Sequence, residues 1–180
     1  MRPIFTVHAG EYLVASAIER KCRDLRVWIP SRDTGVDLLV TDRHENKVAS
    51  LQVKFSKDYQ STAKDSAGVS EIVSGGWWTL ERAKIATSQA DYWVLVLHRF
   101  KPARFYFVIV PPRDLLARYD RIRPSAKSIQ SYFCVTSADQ CWEVRGLNKE
   151  AMKSISAGTY SQPERDFSKY LYLKKWPFEA

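Results

Sequence analysis

Glycine is scarce in this chain, with seven in 180 residues, and proline reaches only eight. Those counts exclude a collagen-like repeat and argue against a Pro/Gly-rich disordered chain. Cysteine is scarcer still. Cys22, Cys134 and Cys141 are odd in number and have no zinc-ligand spacing. They read as reduced thiols, with neither a disulfide framework nor a zinc site. Long apolar runs are missing too. The longest clean stretch is Phe105–Val110, far short of the roughly 18–20 residues of a membrane span. The start, Met1 to His8, has no long apolar segment and no small-residue cleavage site, so no signal peptide is expected. The expectation is a cytoplasmic protein with no membrane partner. Nucleotide-binding, nucleophile-elbow and zincin motifs (G-x-x-x-x-G-K-[ST], G-x-S-x-G, helical H-E-x-x-H) are absent, so those chemistries have no sequence signal.

What is present suits one compact domain over residues 1–180. The chain is 45% hydrophobic and 13% aromatic, enough for a proper core. Its 28 Lys and Arg exceed 20 Asp and Glu, for a net charge of +8. The excess lies mostly in the second part: residues 1–100 hold 14 basic and 12 acidic residues, and residues 101–180 hold 14 and 8. Such an excess points to a polyanionic partner, most often nucleic acid, against the blander alternative of a basic solvated surface.

Periodicity organises the chain. Leu13, Val14, Ala17 and Ile18 place an apolar stripe on a helix over 10–22. Three strands follow, at 25–30, 36–42 and 47–56, the last two joined by a polar turn as an antiparallel hairpin. Residues 56–76 read as a long polar loop. Trp77, Leu80, Ala83, Ala86 and Ala90 recur at three- and four-residue spacing and predict a helix over 77–90. Two β-branched and aromatic runs, 92–98 and 104–111, read as buried strands. A helix from Pro112 to Tyr119, a hairpin over 129–136 and 140–145, and a short helix through Leu147, Ala151 and Ile155 complete the pattern. The fold class is α/β: a mixed sheet flanked by helices, with residues 111–180 packed on a core of 1–110.

One hairpin concentrates the chemistry. On 48–56 side chains alternate between an apolar face (Ala49, Leu51, Val53, Phe55) and a polar one (Ser50, Gln52, Lys54, Ser56). Taken alone this is an ordinary solvent-facing strand. On the partner strand Asp37 is the single acidic residue in an apolar run and follows Gly35, in a position where strands are depleted in Asp. Symmetric closure around His44-Glu45 makes paired numbers sum to 89. Thr41 then pairs with Val48 and Asp37 with Gln52, with Lys54 diagonal on the same face. Glu11 opens the first helix at the edge of its buried stripe. It either leans toward the sheet or only complements the helix dipole. Asp37, Glu11, the Gln52 side-chain carbonyl and the Val53 backbone carbonyl are suitable oxygen donors for Mg²⁺ or Mn²⁺. Lys54 is suited to orienting a water and stabilising developing negative charge.

Gly10-Glu11-Tyr12-Leu13-Val14-Ala15, then Gly35-Val36-Asp37-Leu38-Leu39, then Leu51-Gln52-Val53-Lys54 resembles the PD-(D/E)XK nuclease superfamily, which includes Holliday-junction resolvases and Mrr-like restriction enzymes. The resemblance spans about residues 8–110. It implies a restriction-endonuclease-like core and a metal-dependent endonuclease acting on DNA, in restriction, defence or repair. It assigns Glu11, Asp37, Gln52 and Lys54 to the catalytic site. Gln52 departs from the usual acidic residue, as in Mrr-like members, and removes one negative charge. The resemblance also implies a polar contribution from the following helix, with Thr79, Arg82 and Gln89 as candidates. The alternatives are a degenerate relative that binds nucleic acid or a partner without cutting, and an interaction protein that docks through its basic second part. RNA as substrate and a homodimer both stay open.

Weaker features remain. His8, His44 and His98 are scattered and suit surface or core roles. Trp77-Trp78 can stack on bases, although a core role is the more ordinary one. Tyr170, Tyr172, Lys174, Lys175 and Trp176 interleave aromatic and basic groups. This suits nucleic-acid stacking, or equally a docking or dimer strand. Arg113, Arg118, Arg121 and Arg123 are the other basic groups expected to meet phosphates.

Overall fold

A computed structural model describes residues 9–31, 34–56, 71–99 and 104–172. The elements run α1 (Ala9–Lys21), β1 (Leu25–Trp28), β2 (Leu38–Asp42), β3 (Val48–Ser56), β4 (Ile72–Glu81), α2 (Arg82–Ala86), β5 (Tyr92–Arg99), β6 (Arg104–Val110), α3 (Pro112–Ile122), β7 (Ser128–Thr136), β8 (Cys141–Glu143), α4 (Lys149–Ser156) and β9 (Leu171–Tyr172). The fold is mixed α/β, as expected. Among the described residues the strands form two sheets, in orders β1-β2-β3-β5-β6-β9 and β4-β7-β8.

The larger sheet is mixed. β1, β2 and β3 form an antiparallel meander, β5 runs parallel to β3, and β6 returns antiparallel to β5. The hairpin register is the predicted one: Leu38 faces Leu51 and Thr41 faces Val48. A parallel neighbour requires a crossover, and β4 with α2 lies within it. Val14, Ala17 and Ile18 of α1 pack with Leu51, Val53, Val94 and Val96 on one sheet face. Each large aliphatic buried there contributes about 1.5–3 kcal/mol. The opposite face of β5 and β6, with Trp93, Leu95, Leu97 and Val108, packs with Trp78, Leu80, Phe133 and Val135 of the second sheet.

One predicted element is wrong. The helix expected over 77–90 is a strand through Glu81 followed by the five-residue α2. Trp77, Trp78, Thr79 and Leu80 alternate exposed and buried, the period of a strand rather than a helix. The second sheet supplies the reason. β4 pairs with β7 from Ile72↔Thr136 to Glu81↔Ser128, a long-range ladder that overrides local propensity. The long loop expected at 56–76 is shortened by the same strand, and residues 57–70 lie outside the described set. The hairpin at 129–145 and the short helix through Ala151 are present as β7, β8 and α4. No helix among the described residues is long and apolar enough to cross a membrane.

Cys22, Cys134 and Cys141 are buried and take part in no disulfide. Burial pushes the Cys134 thiol up to about 12 and the Cys141 thiol upward as well. Neither is a nucleophile near neutral pH.

A charged cluster ties the second sheet to the C-terminal part. Glu143 is 0% exposed and accepts from Arg123 at 3.2 Å and Arg165 at 2.5 Å. It also accepts from the Ser131 hydroxyl at 3.4 Å, which accepts in turn from the Tyr119 hydroxyl at 2.7 Å. Burial raises the Glu143 carboxyl above its usual range, and the two arginines pull it partly back. Replacing Glu143 by Ala strips both guanidinium groups of their partner. The side chains of Arg123 and Arg165 keep 24% and 15% exposure, so the loss should sit near the low end of the ~3–5 kcal/mol typical of broken buried pairs. Urea unfolding measures it. A raised folded-state pKa contributes stability that is full below the ordinary carboxylate range and is lost as pH rises through the raised value. Glu143→Gln should therefore flatten that decline in a pH series of unfolding curves.

Candidate active site

β2 is shorter than β3, and the site forms where they part. Gly35, at φ +88°, takes a left-handed turn that a residue with a Cβ disfavours. It delivers the chain to Asp37. The Asp37 N–H donates to the Leu51 carbonyl at 2.8 Å, and its Oδ2 accepts from the Val53 N–H at 2.7 Å. Asp37 thus straddles Gln52 from one residue beyond the ladder, which ends at Leu38↔Leu51, rather than pairing with it in register. Its carboxylate takes up a strand N–H that the departing backbone no longer meets.

α1 supplies Glu11, in its first turn and 8% exposed. The helix can come this close because residue 10 is glycine. A Cβ there would stand 2.7 Å from the Phe55 Cβ and 3.2 Å from the Val53 Cγ1. β3 supplies Gln52 and Lys54, which in the parallel ladder stand beside Trp93 and Leu95. The Lys54 ammonium lies 5.6 Å from the centroid of the Trp93 indole, a cation–π contact that positions the charge. Trp93 is held in turn by its N–H to the Ser88 hydroxyl at 2.9 Å.

Glu11, Asp37, Gln52, Val53 and Lys54 line one cavity of about 610 Å³, with Lys84 of α2 at the same wall. The structure therefore brings Glu11, Asp37, Gln52, Val53 and Lys54 to the wall of one cavity. Among the described residues, the Gln52 amide and the Lys54 and Lys84 ammonium groups make no hydrogen bond or ion pair, and Asp37 uses its Oδ2 alone. These groups face the cavity with most of their bonding capacity unspent. The donors are hard oxygens: two carboxylates, an amide carbonyl and a backbone carbonyl. That set fits a divalent cation of the magnesium kind, which takes one or two carboxylates and keeps several waters. No group of three or more His, Cys, Asp or Glu stands together among the described residues, and the carboxylates lining the cavity are Glu11 and Asp37.

The candidates from the following helix fare differently. Thr79 lies on β4 opposite Gln130. Arg82 pairs with Asp120 and donates to the carbonyls of Ala126 and Arg123. The Gln89 carbonyl accepts from Ser50. Lys84 reaches the cavity instead. Only Ile85 of α2 is buried, so Lys84 stays on the rim, and the signal for it was hidden by the misplaced helix start. Of the scattered histidines, His98 stacks on Phe105 with centroids 4.6 Å apart, a packing role; His8 lies outside the described residues.

Comparison with protein-family models, curated proteins and solved structures finds no match to this chain. The reading of the site rests on its own residues.

Gly10 gives a direct check of how tightly α1 is seated. Ala is the better helix former by about 1 kcal/mol, yet here its methyl group meets Phe55. Gly10→Ala should lose on the order of 1–3 kcal/mol through overpacking, read by thermal or urea unfolding. A gain in stability would mean that α1 is free to shift.

Proposed function

We propose that this chain is a divalent-metal-dependent endonuclease that hydrolyses phosphodiester bonds in DNA, built on a restriction-endonuclease-like core. The observation that carries the reading is the convergence of Glu11, Asp37, Gln52 and Lys54, from three separate segments, on one cavity. The element order supports it: a helix, an antiparallel meander, a crossover, and a strand parallel to the meander's last. The strand β4 is an insertion in that order.

Glu11 and Asp37 would hold the ion with the Gln52 and Val53 carbonyls. When bound, Mg²⁺ or Mn²⁺ polarises a phosphate oxygen and lowers the pKa of a water. The Val53 N–H fixes the Asp37 carboxylate, so little reorganisation is needed during reaction. Lys54, held over Trp93, stabilises the charge that develops on the attacked phosphate and orients the attacking water. Lys84 adds a second cation that holds a phosphate at the cavity wall. Gln52 contributes no charge, so affinity for the ion without DNA is expected to be low.

A second reading is a non-cleaving nucleic-acid-binding protein of the same architecture. The neutral Gln52 favours it. Plasmid nicking in Mg²⁺ or Mn²⁺ against EDTA separates the two: nicking that EDTA abolishes supports the enzyme, and none in either ion supports the binder.

Two variants test the roles. Lys54→Ala should lose at least about a hundredfold in rate while keeping its fold and DNA affinity; wild-type cleavage would remove Lys54 from the mechanism. Asp37→Asn keeps an acceptor for the Val53 N–H and deletes the charge. It should abolish the heat of Mn²⁺ binding in calorimetry with little change in melting temperature. Equal heats in both proteins would place the ion elsewhere.

A further inference from the structure

Among the described residues the larger sheet ends at β1, which pairs with β2 and with no other strand. An edge strand presents unpaired backbone N–H and C=O groups to whatever lies beside it. The hydrogen-bond directions identify the residue that presents them. The Asp42 N–H donates to the Lys47 carbonyl across the β2–β3 turn. Thr41 and Leu39, which alternate with it, therefore turn their backbone groups toward β1. Arg26 and Trp28 stand opposite those two and take them up. Val27, between them, points its N–H and carbonyl outward.

The side chains leave this edge sticky. Trp28 and Ile29 are 47% and 51% exposed and follow one another at its end. The Trp28 indole N–H donates to the Thr41 hydroxyl at 3.1 Å, which lays the ring along the sheet. Leu25 and Val27 pack on the side of α1, so Arg26 and Trp28 share the opposite face. Arg26 pairs with Glu45 at 3.1 Å, with both side chains more than half exposed. An exposed pair of this kind holds the guanidinium only weakly.

We propose that β1 pairs antiparallel with β1 of a second copy of this chain, about a two-fold axis through Val27, joining two six-stranded sheets into one. The side chains of the strand complement themselves in that register. The two Val27 residues exchange both of their outward bonds. Arg26 falls opposite the partner's Trp28, and Trp28 opposite the partner's Arg26, which sets a cation beside an indole twice. On the other face Leu25 meets the partner's Ile29. Moving the axis to Arg26 would set two like charges opposite each other, which disfavours that register. An unrelated strand would satisfy the same backbone groups, but it would have to bring an arginine and an aromatic ring at this same spacing. The axis stands perpendicular to the joined sheet, so Gln52 and Lys54 of both copies turn to the same side. A four-residue ladder is short, and the interface falls toward the weak end, below about 1,200 Å². The dimer is therefore a reversible one. Its formation does not depend on the chemistry of the cavity, and its test runs without metal or nucleic acid.

Sedimentation equilibrium in EDTA over rising protein concentration measures the association. The wild type should pass from the mass of one chain to that of two. Trp28→Thr, a strand-favouring change at an exposed position, removes both cation–indole pairs and should weaken the dimer at least about 5-fold. Arg26→Glu should weaken it by as much or more. Trp77→Thr removes an exposed indole from the second sheet and should leave it unchanged. Urea unfolding shows that each variant is folded. Register is read by crosslinking. Opposed residues flanking the Val27 pair lie about 4.5 Å apart, within reach of a disulfide. Oxidation of Arg26→Cys mixed with Trp28→Cys should link the two proteins, while either alone stays unlinked. The native cysteines are buried and do not compete. A wild type that keeps the mass of one chain up to about 0.5 mM overturns the proposal. So does a dimer that Trp28→Thr and Arg26→Glu leave intact, one that Trp77→Thr weakens equally, or a mixture that links no better than either variant alone.

Discussion

The contact between the Asp37 carboxylate and the Val53 N–H is the constraint on which the site depends. A strand that outlasts its neighbour exposes unpaired backbone groups, and an unsatisfied N–H costs on the order of 1–3 kcal/mol when buried. Elsewhere in this sheet a backbone carbonyl fills that role. Here a side chain does, at 2.7 Å. The substitution frees the β2 backbone to turn away through Gly35, and the space it leaves becomes the cavity. Asp37 is therefore structural through one oxygen and available for chemistry through the other.

The extent of the second sheet sets the position of the cavity on the first. Three strands cannot cover six. They cover β5 and β6, whose Trp93, Leu95 and Leu97 join the core they share. Among the described residues the corresponding face at the far edge of the sheet stays exposed, at Trp28 of β1 and Val48 at the start of β3. Gln52 and Lys54 stand on the border between these regions, beside Trp93 and Leu95. Border residues have one apolar wall to fix their rotamers and one open side to meet a ligand. Lys54 illustrates both: its charge lies over a buried indole and still lines the cavity.

The legible part of this architecture was local. The β2–β3 register followed from period-two alternation and a symmetric turn, and it placed Asp37 beside Gln52 before any contact was known. The second sheet was illegible because its main ladder joins β4 to β7, some fifty residues on. In between, Ala83, Ala86 and Ala90 prolong a spacing that reads as helical. The period-two sign was there, in Trp78 and Leu80 pointing inward, but Gly75-Gly76 weakened it. The structure explains the second of these glycines: a Cβ on Gly76 would stand 2.5 Å from the Trp78 ring and 3.1 Å from the Leu97 Cγ. Tertiary crowding selected glycine where local preference would have chosen a bulkier strand former.

Charge was the other quantity that sequence overstated. Fourteen basic residues lie in 101–180, but several of them hold the protein to itself. Arg118 donates to the carbonyls of Pro163 and Glu164 and stacks on Phe167 and Tyr170. Arg123 and Arg165 neutralise buried Glu143. Of the four arginines expected to meet phosphates, only Arg113 and Arg121 are exposed and without such ties; Lys174 and Lys175 lie outside the described residues. Arg118 and Arg165 fasten the C-terminal part onto α3 and the second sheet, so this basic segment is part of the fold before it is part of any interface. Reversing Arg123 would therefore unbalance a buried carboxylate as well as subtract a surface charge. A net charge counts cations, whereas counterion release counts those that reach a phosphate. In this chain the two differ because arginine, with its five donors and planar fork, serves equally well to tie loops to carbonyls and to bind polyanions.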